Sequence, residues 1–207
     1  MKIDKKNIKA FEKVFRLNLI NSITGIKAGN LIATRSNDGA DNVAIFSSVV
    51  HLGSNPAQIG FVMRPQIERK SDTYNNIKEN GFYTINHITK AIYKQAHNTS
   101  ANLKGSEFDL CDIKKENIDN FKAPFVLESP IKIGMKLIEM IDLPNDCILI
   151  VGEVELIDVQ ESSINEKGEV DLSLINVMGI SGLNGYYELQ RMDSLPYIRL
   201  SDKSKIE

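Results

Sequence analysis

The chain has 207 residues, of which 42% are hydrophobic and 25% charged, with a formal net charge of −2. Such a composition supports a sizeable folded core and excludes wholesale disorder. The near-neutral balance gives no electrostatic footprint for nucleic acid or an anionic membrane surface, so neither is expected as a partner.

Ile8, Phe11, Phe15 and Leu19 recur at three- and four-residue spacing, which predicts an amphipathic N-terminal helix ending before Gly25. From Gly29 the texture becomes strand-like. Leu31–Arg35, Val43–Val50 and Gln58–Met63 read as three strands of an antiparallel meander, separated by turn chemistry at Ser36-Asn-Asp-Gly39 and Gly53-Ser-Asn-Pro56. A short helix follows, with Ser71 or Asp72 as its N-cap and Gly81 just past its end. Phe82–His87 returns to strand, and Ile88–His97 reads as a second helix. Residues 98–129 are polar and irregular. Ile131, Ile133, Met135 and Leu137 then alternate with Lys132, Gly134 and Lys136, and a loop at Pro144-Asn145-Asp146 leads to a strand from Cys147 to about Val159. The remainder reads as loop and edge material. Many short strands and few short helices predict a mainly β, closed or half-closed antiparallel barrel. A single domain over residues 1–207 is expected, with residues 1–20 as a helical extension and residues 168–207 as a tail packing on the barrel.

The two cysteines, Cys111 and Cys147, lack metal-ligand spacing and read as free thiols, and no metal is expected. The charged N-terminus carries no apolar signal segment, and no apolar run approaches the ~20 residues of a membrane span. A cytoplasmic protein is therefore expected.

Two segments could carry chemistry. In the first, Thr34 and Ser36 lead through a polar turn to Asn42, Val43, Ala44, Ser47 and Ser48. Small side chains among apolar ones let a planar ligand approach the backbone, whose N–H and C=O groups can bond its edge. Composition alone favours a blander reading, a hairpin with hydroxyls on its solvent face. In the second, Arg69 and Lys70 precede Ser71, Thr73 and Asn76 at a helix start. Free N–H groups, the helix dipole, hydroxyls and cations together make an anion site, although a capped surface helix would look the same. No Ser-His-Asp or Cys-His arrangement can be proposed from spacing. His87 and His97 follow the anion segment and are second-rank candidates for the mouth of a site.

Read in order, these segments resemble the flavin reductase-like, FMN-binding split-barrel family. The matching string is Ser22-Ile-Thr24, Ser36-Asn-Asp-Gly39, Asn42-Val-Ala-Ile-Phe-Ser47, Asn55-Pro56, Ser71-Asp72-Thr73 with Asn76-Ile77, and Phe82-Tyr-Thr-Ile-Asn86. It continues through Ser106-Glu-Phe108, Ala123-Pro124, Gly152-Glu-Val154 and Gly185-Tyr186-Tyr187. The resemblance implies a split β-barrel, a homodimer with FMN near the subunit interface, the Asn42–Ser48 strand along the flavin ring edge, and the second segment on the phosphate. It further implies hydride transfer from NADH or NADPH to the flavin and onward transfer to a small-molecule or protein acceptor. The alternative is a flavin-binding electron-transfer module without its own NAD(P)H activity. Two departures from the family pattern stand out. Ile45 occupies the place of a usual Pro, and the cation usually next to Asp-Thr stands one place earlier, at Lys70, which leaves Arg69 and Lys70 both open as the phosphate cation.

Overall fold

Antiparallel pairing of strands that are mostly buried on both faces sets the architecture. The computed structural model describes residues 1–196. The N-terminal periodic segment forms two helices, α1 (Lys5–Ala10) and α2 (Lys13–Ser22), rather than one. Asp4 and Asn7 close a reciprocal capping box on α1, and Phe11 leaves helical geometry at ψ 144°, which separates the two. Five strands and a helix follow: β1 (Lys27–Ala28), β2 (Asn30–Arg35), β3 (Asp41–Phe46), β4 (Val50–Ser54), β5 (Ala57–Met63) and α3 (Asp72–Asn80). Next come β6 (Phe82–His87), α4 (Tyr93–Asn98), α5 (Glu107–Leu110), β7 (Lys115–Glu116) and β8 (Phe125–Val126). The long hairpin β9 (Ile131–Asp142) and β10 (Ile148–Val159) and the tail strands β11 (Met178–Ser181) and β12 (Gly185–Glu188) complete the described order.

Seven strands make one antiparallel sheet in the order β3-β2-β6-β9-β10-β5-β4. The sheet curls but does not close, giving a mainly β split barrel. Ile32, Phe61, Met63, Tyr83, Ile85, Met135 and Ile150 fill its inner face. A second apolar cluster covers its outer face, where Leu31, Ala33 and Val43 meet Ile88, Phe108, Val126 and Ile180. β2 is therefore buried on both sides, as its Leu31-Ile32-Ala33 run requires. At Gly152 a side chain would collide with the Tyr83 hydroxyl, so the close approach of β10 to the inner face needs glycine there.

Besides the split N-terminal helix and the short elements α5, β7 and β8 within the stretch expected to be irregular, three further sequence expectations change. The Val43–Val50 run is two strands, not one. It bends at Ser47-Ser48-Val49, so that β3 and β4 lie at opposite edges of the sheet and the first strands do not form a simple meander. The bend is held by Ser48, whose hydroxyl donates to the Val62 carbonyl (2.8 Å) and accepts from the Val62 N–H (3.2 Å). A side chain here continues the ladder that the backbones of β4 and β5 begin at Val50 and Gly60. Ser48→Ala is expected to leave both Val62 groups unpaired and to cost about 1–3 kcal/mol, read as a lower denaturant midpoint. An unchanged midpoint would remove this role.

The predicted helix Ile88–His97 is reduced to α4. Ile88 is bonded in extended form between Gly29 and Met178, and Thr89 bridges Val177, so tertiary pairing overrides helical periodicity there. The tail is more ordered than loop material: β1, β11 and β12 form a separate three-stranded sheet. Part of the predicted tail, residues 197–207, lies outside the described residues.

Candidate functional site at the open edge of β3

Among the described residues, β3 has a strand neighbour on one side only. The Ser36 N–H bonds the Ala40 carbonyl, which sets the even-numbered residues of β3 as those facing β2. The N–H and C=O groups of Asp41, Val43 and Ile45 consequently point to the open side. α3 and α5 border this side, with the first turn of α3 closest to Asn42.

Four of the predicted site residues come together. Thr34, Asn42, Thr73 and Asn76 are all buried and form two neighbouring polar pairs, each joining α3 to the sheet. Asn76 Nδ2 donates to Thr34 Oγ1 at 3.0 Å. The Asn42 amide fits best with its oxygen accepting from Thr73 Oγ1 (2.9 Å) and the Val43 N–H (3.3 Å) and its nitrogen donating to Glu107 Oε2 (3.2 Å). The opposite orientation would set its oxygen against the carboxylate. These pairs lock α3 to β2 and β3, and satisfied buried bonds of this kind rigidify their surroundings.

Ser71 caps α3 by accepting from the Tyr74 N–H (3.3 Å), while its own N–H donates to Gln66 Oε1 (2.7 Å). Gly81 ends the helix in the left-handed region at φ 77°. The N–H groups of Asp72 and Thr73 belong to the first turn and have no carbonyl partner within the helix. Arg69 and Lys70 are exposed beside this turn. Arg69 Nη1 donates to Asn102 Oδ1 at 2.8 Å, and Lys70 Nζ lies 5.8 Å from the Tyr74 ring centre.

The remaining candidates are dispersed. Val43 is buried against the outer cluster, whereas Ala44 and Ser47 are half-buried. Ser36 spends its hydroxyl on the β2–β3 turn, accepting from the Ala40 N–H at 2.9 Å and donating to Asp38. Ser36 and Ser48 stand beyond opposite ends of β3, and Ser48 is committed to β5. His87 pairs across with Asn30 at the far end of the inner face. Its Nδ1 is buried without a partner among the described residues, and burial pushes the ring down to about 4. His97 lies on the outer side, with Nδ1 2.9 Å from the Tyr186 hydroxyl.

One residue escaped the sequence reading. Glu107 opens α5 and reaches both Asn42 and the Val43 N–H. Burial first, and then the charge of Asp72, push its carboxyl above the usual range, against the pull of its own N–H and that of Val43. Its only sequence signal was its place in Ser106-Glu-Phe108. The opposite holds for Asp41. Burial alone would raise it, but Arg35 and Lys115, each 2.7 Å away, hold its carboxyl below the usual range.

The geometry offers an edge strand with outward-facing donors and acceptors, small side chains along it, and a helix start with free N–H groups flanked by cations. Those residues fit a planar heteroaromatic carrying an anionic tail.

The model of the flavin reductase like domain matches residues 25–174. A split-barrel protein from Shewanella frigidimarina NCIMB 400, assigned as a flavin reductase, superimposes with a TM-score of 0.91 at 39% identity, covering 96% of this chain and all (100%) of that one. Nitrilotriacetate monooxygenase component B from Bacillus cereus shares the fold at a TM-score of 0.82 and 20% identity, over 94% of this chain and 98% of its own. YwrF, an uncharacterised protein of Bacillus subtilis (strain 168), is 26% identical over an alignment of 147 residues that covers 67% of this chain and 72% of YwrF. With most of its length matched by the domain model and its barrel superimposing throughout on a split-barrel relative, this chain belongs to the flavin reductase like domain family.

Proposed function

We propose that the protein is an FMN-dependent oxidoreductase that takes hydride from NADH or NADPH and passes electrons to a small-molecule or protein acceptor. The open edge of β3 beside the first turn of α3 carries this reading, because it supplies a ring-edge ladder and an anion cradle side by side. Bound FMN supplies the hydride and electron chemistry, so the chain's own tasks are binding, orientation and charge. The Val43 carbonyl and the backbone groups of Ile45 bond the ring edge, with Ala44 and Ser47 leaving room for its approach; the Val43 N–H is already taken by Asn42 and Glu107. The N–H groups of Asp72 and Thr73 take the phosphate, and Arg69 or Lys70 supplies the cation. Thr34, Asn42 and Asn76 act one layer below, fixing α3 relative to the strand. Ser36 and Ser48 serve the turn and the sheet edge instead.

A homodimer belongs to the same proposal. Val14, Phe15, Ile20 and Ile23 lie around α2 and just beyond it, exposed at 65%, 50%, 41% and 67%, and α2 has no buried residue. A helix with apolar side chains exposed on several sides fits a subunit contact.

Absorption spectra of the purified protein with added FMN, followed by anaerobic titration with NADH and NADPH, test the function. A bound-flavin spectrum that bleaches with one nicotinamide is expected. No flavin binding would sink the proposal, and binding without bleaching would leave an electron-transfer module. In the same titration, the Arg69→Ala, Lys70→Ala double variant is expected to weaken FMN about tenfold to a hundredfold while sparing riboflavin. Equal loss for both flavins would remove the phosphate assignment.

A further inference from the structure

Glu107 stands on the open side of β3 with a charge that flavin binding itself does not require. Its Oε2 lies 3.2 Å from the Asn42 amide, and the carboxyl accepts from the Val43 N–H, next to the Val43 carbonyl and Ile45 groups that the proposed function gives to the ring edge. The nearest cations along the strand, Arg35 and Lys115, are already engaged by Asp41. Arg69 and Lys70 are exposed, so water screens them. Among the described residues no cation forms an ion pair with Glu107, and burial and the charge of Asp72 push its carboxyl upward.

Oxidised flavin has a neutral ring. Addition of one hydride brings two electrons and one proton, and the product ring carries one negative charge until a second proton arrives. We infer that Glu107 discriminates against the reduced flavin, holding the bound couple at a low potential and favouring hand-over of its electrons or departure of the reduced flavin. This inference rests on the flavin reading of the site. A fixed carboxylate beside the ring repels the anion and leaves the neutral form nearly untouched, and partial burial lengthens the reach of that field. The arrangement suits an enzyme whose product is a reductant for something else.

Potentiometric titration of the FMN-loaded protein tests it. Glu107→Gln is expected to strengthen binding of reduced relative to oxidised FMN about tenfold, read as a rise of about 30 mV in the two-electron potential. Glu107→Asp, which keeps the charge, and Asp109→Asn, which removes an exposed charge from the same helix, are expected to stay at the wild-type value. An unmoved potential in Glu107→Gln, or an equal shift in Asp109→Asn, would overturn the inference. Direct affinities of the wild-type protein for oxidised and dithionite-reduced FMN give a second measure that needs no variant, and tighter binding of the reduced form would also overturn it. Failure of the wild-type protein to bind either form would instead strike the proposed function.

Discussion

Replacing Phe61 by Ala is expected to destabilise the protein by about 3–5 kcal/mol, a large part of the ~5–15 kcal/mol that holds an ordinary domain together. Phe61 is fully buried on β5, opposite Ile150 of β10. Its ring meets Phe46 edge to face at 5.1 Å and Tyr83 at 5.6 Å, so it joins β3, β5 and β6 across the inner face. No other side chain reaches all three in this aromatic chain. Truncation loses the transfer free energy of the ring and leaves a cavity that a curled sheet fills poorly. Phe61→Leu, which keeps more of the volume, is expected to cost less than half as much. Urea unfolding reads both, and a Phe61→Ala midpoint equal to that of the wild type would show that the inner cluster does not bear the fold.

The second large effect is acid sensitivity through His87. Lowering the pH from 7 to 4 is expected to remove about 3 kcal/mol of stability by this residue alone. An unfolded histidine takes its proton near pH 6.5, at roughly the reference value. In the folded chain burial delays that proton until about 4. Between those values the unfolded state binds more protons than the native one, so stability falls as pH falls through the window. Below it both states are charged and the loss stops. Asp41, held low by Arg35 and Lys115, adds an acid loss at lower pH. Glu107, displaced upward, contributes with the opposite sign. Both are common to the wild type and to His87→Gln, so the difference between their stability curves from pH 7 to 4 isolates the imidazole. Parallel curves would refute the prediction.

Much of the barrel was legible because its signals are local. The Ser71 cap and the Gly81 stop depend only on neighbours in the chain and survive intact, and Ile131, Ile133 and Met135 of β9 all join the inner cluster, although Lys132 and Gly134 between them are buried as well. The bend at Ser47-Ser48-Val49 was hidden, because what makes it is a hydroxyl bonding a strand 14 residues away. Ile88 to Ile92 carried helical spacing, yet pairing with Gly29 and with the tail takes that stretch. The strands β11 and β12 owe their existence to β1, about 150 residues upstream, and no local pattern announces them. At the candidate site, Thr34, Asn42, Thr73 and Asn76 were recognisable as polar residues in suspicious places. Their mutual bonding was not, because β2, β3 and α3 meet only in three dimensions. Glu107 was missed for the same reason.

The sheet order has a consequence for the chain as it leaves the ribosome. β5 pairs with β10, and its first turn of contacts, Met63 with Ile148, spans 85 residues. The hairpins β2–β3 and β4–β5 are therefore synthesised well before the strands that cover Ile32, Phe61 and Met63 exist. For that interval the nascent protein presents apolar strands with unpaired edges, the surface that chaperones hold and that neighbouring polysomes would otherwise entangle. Contacts so distant along the chain also place this barrel among slow folders, whose yield on expression responds to temperature and synthesis rate more than equilibrium stability would indicate.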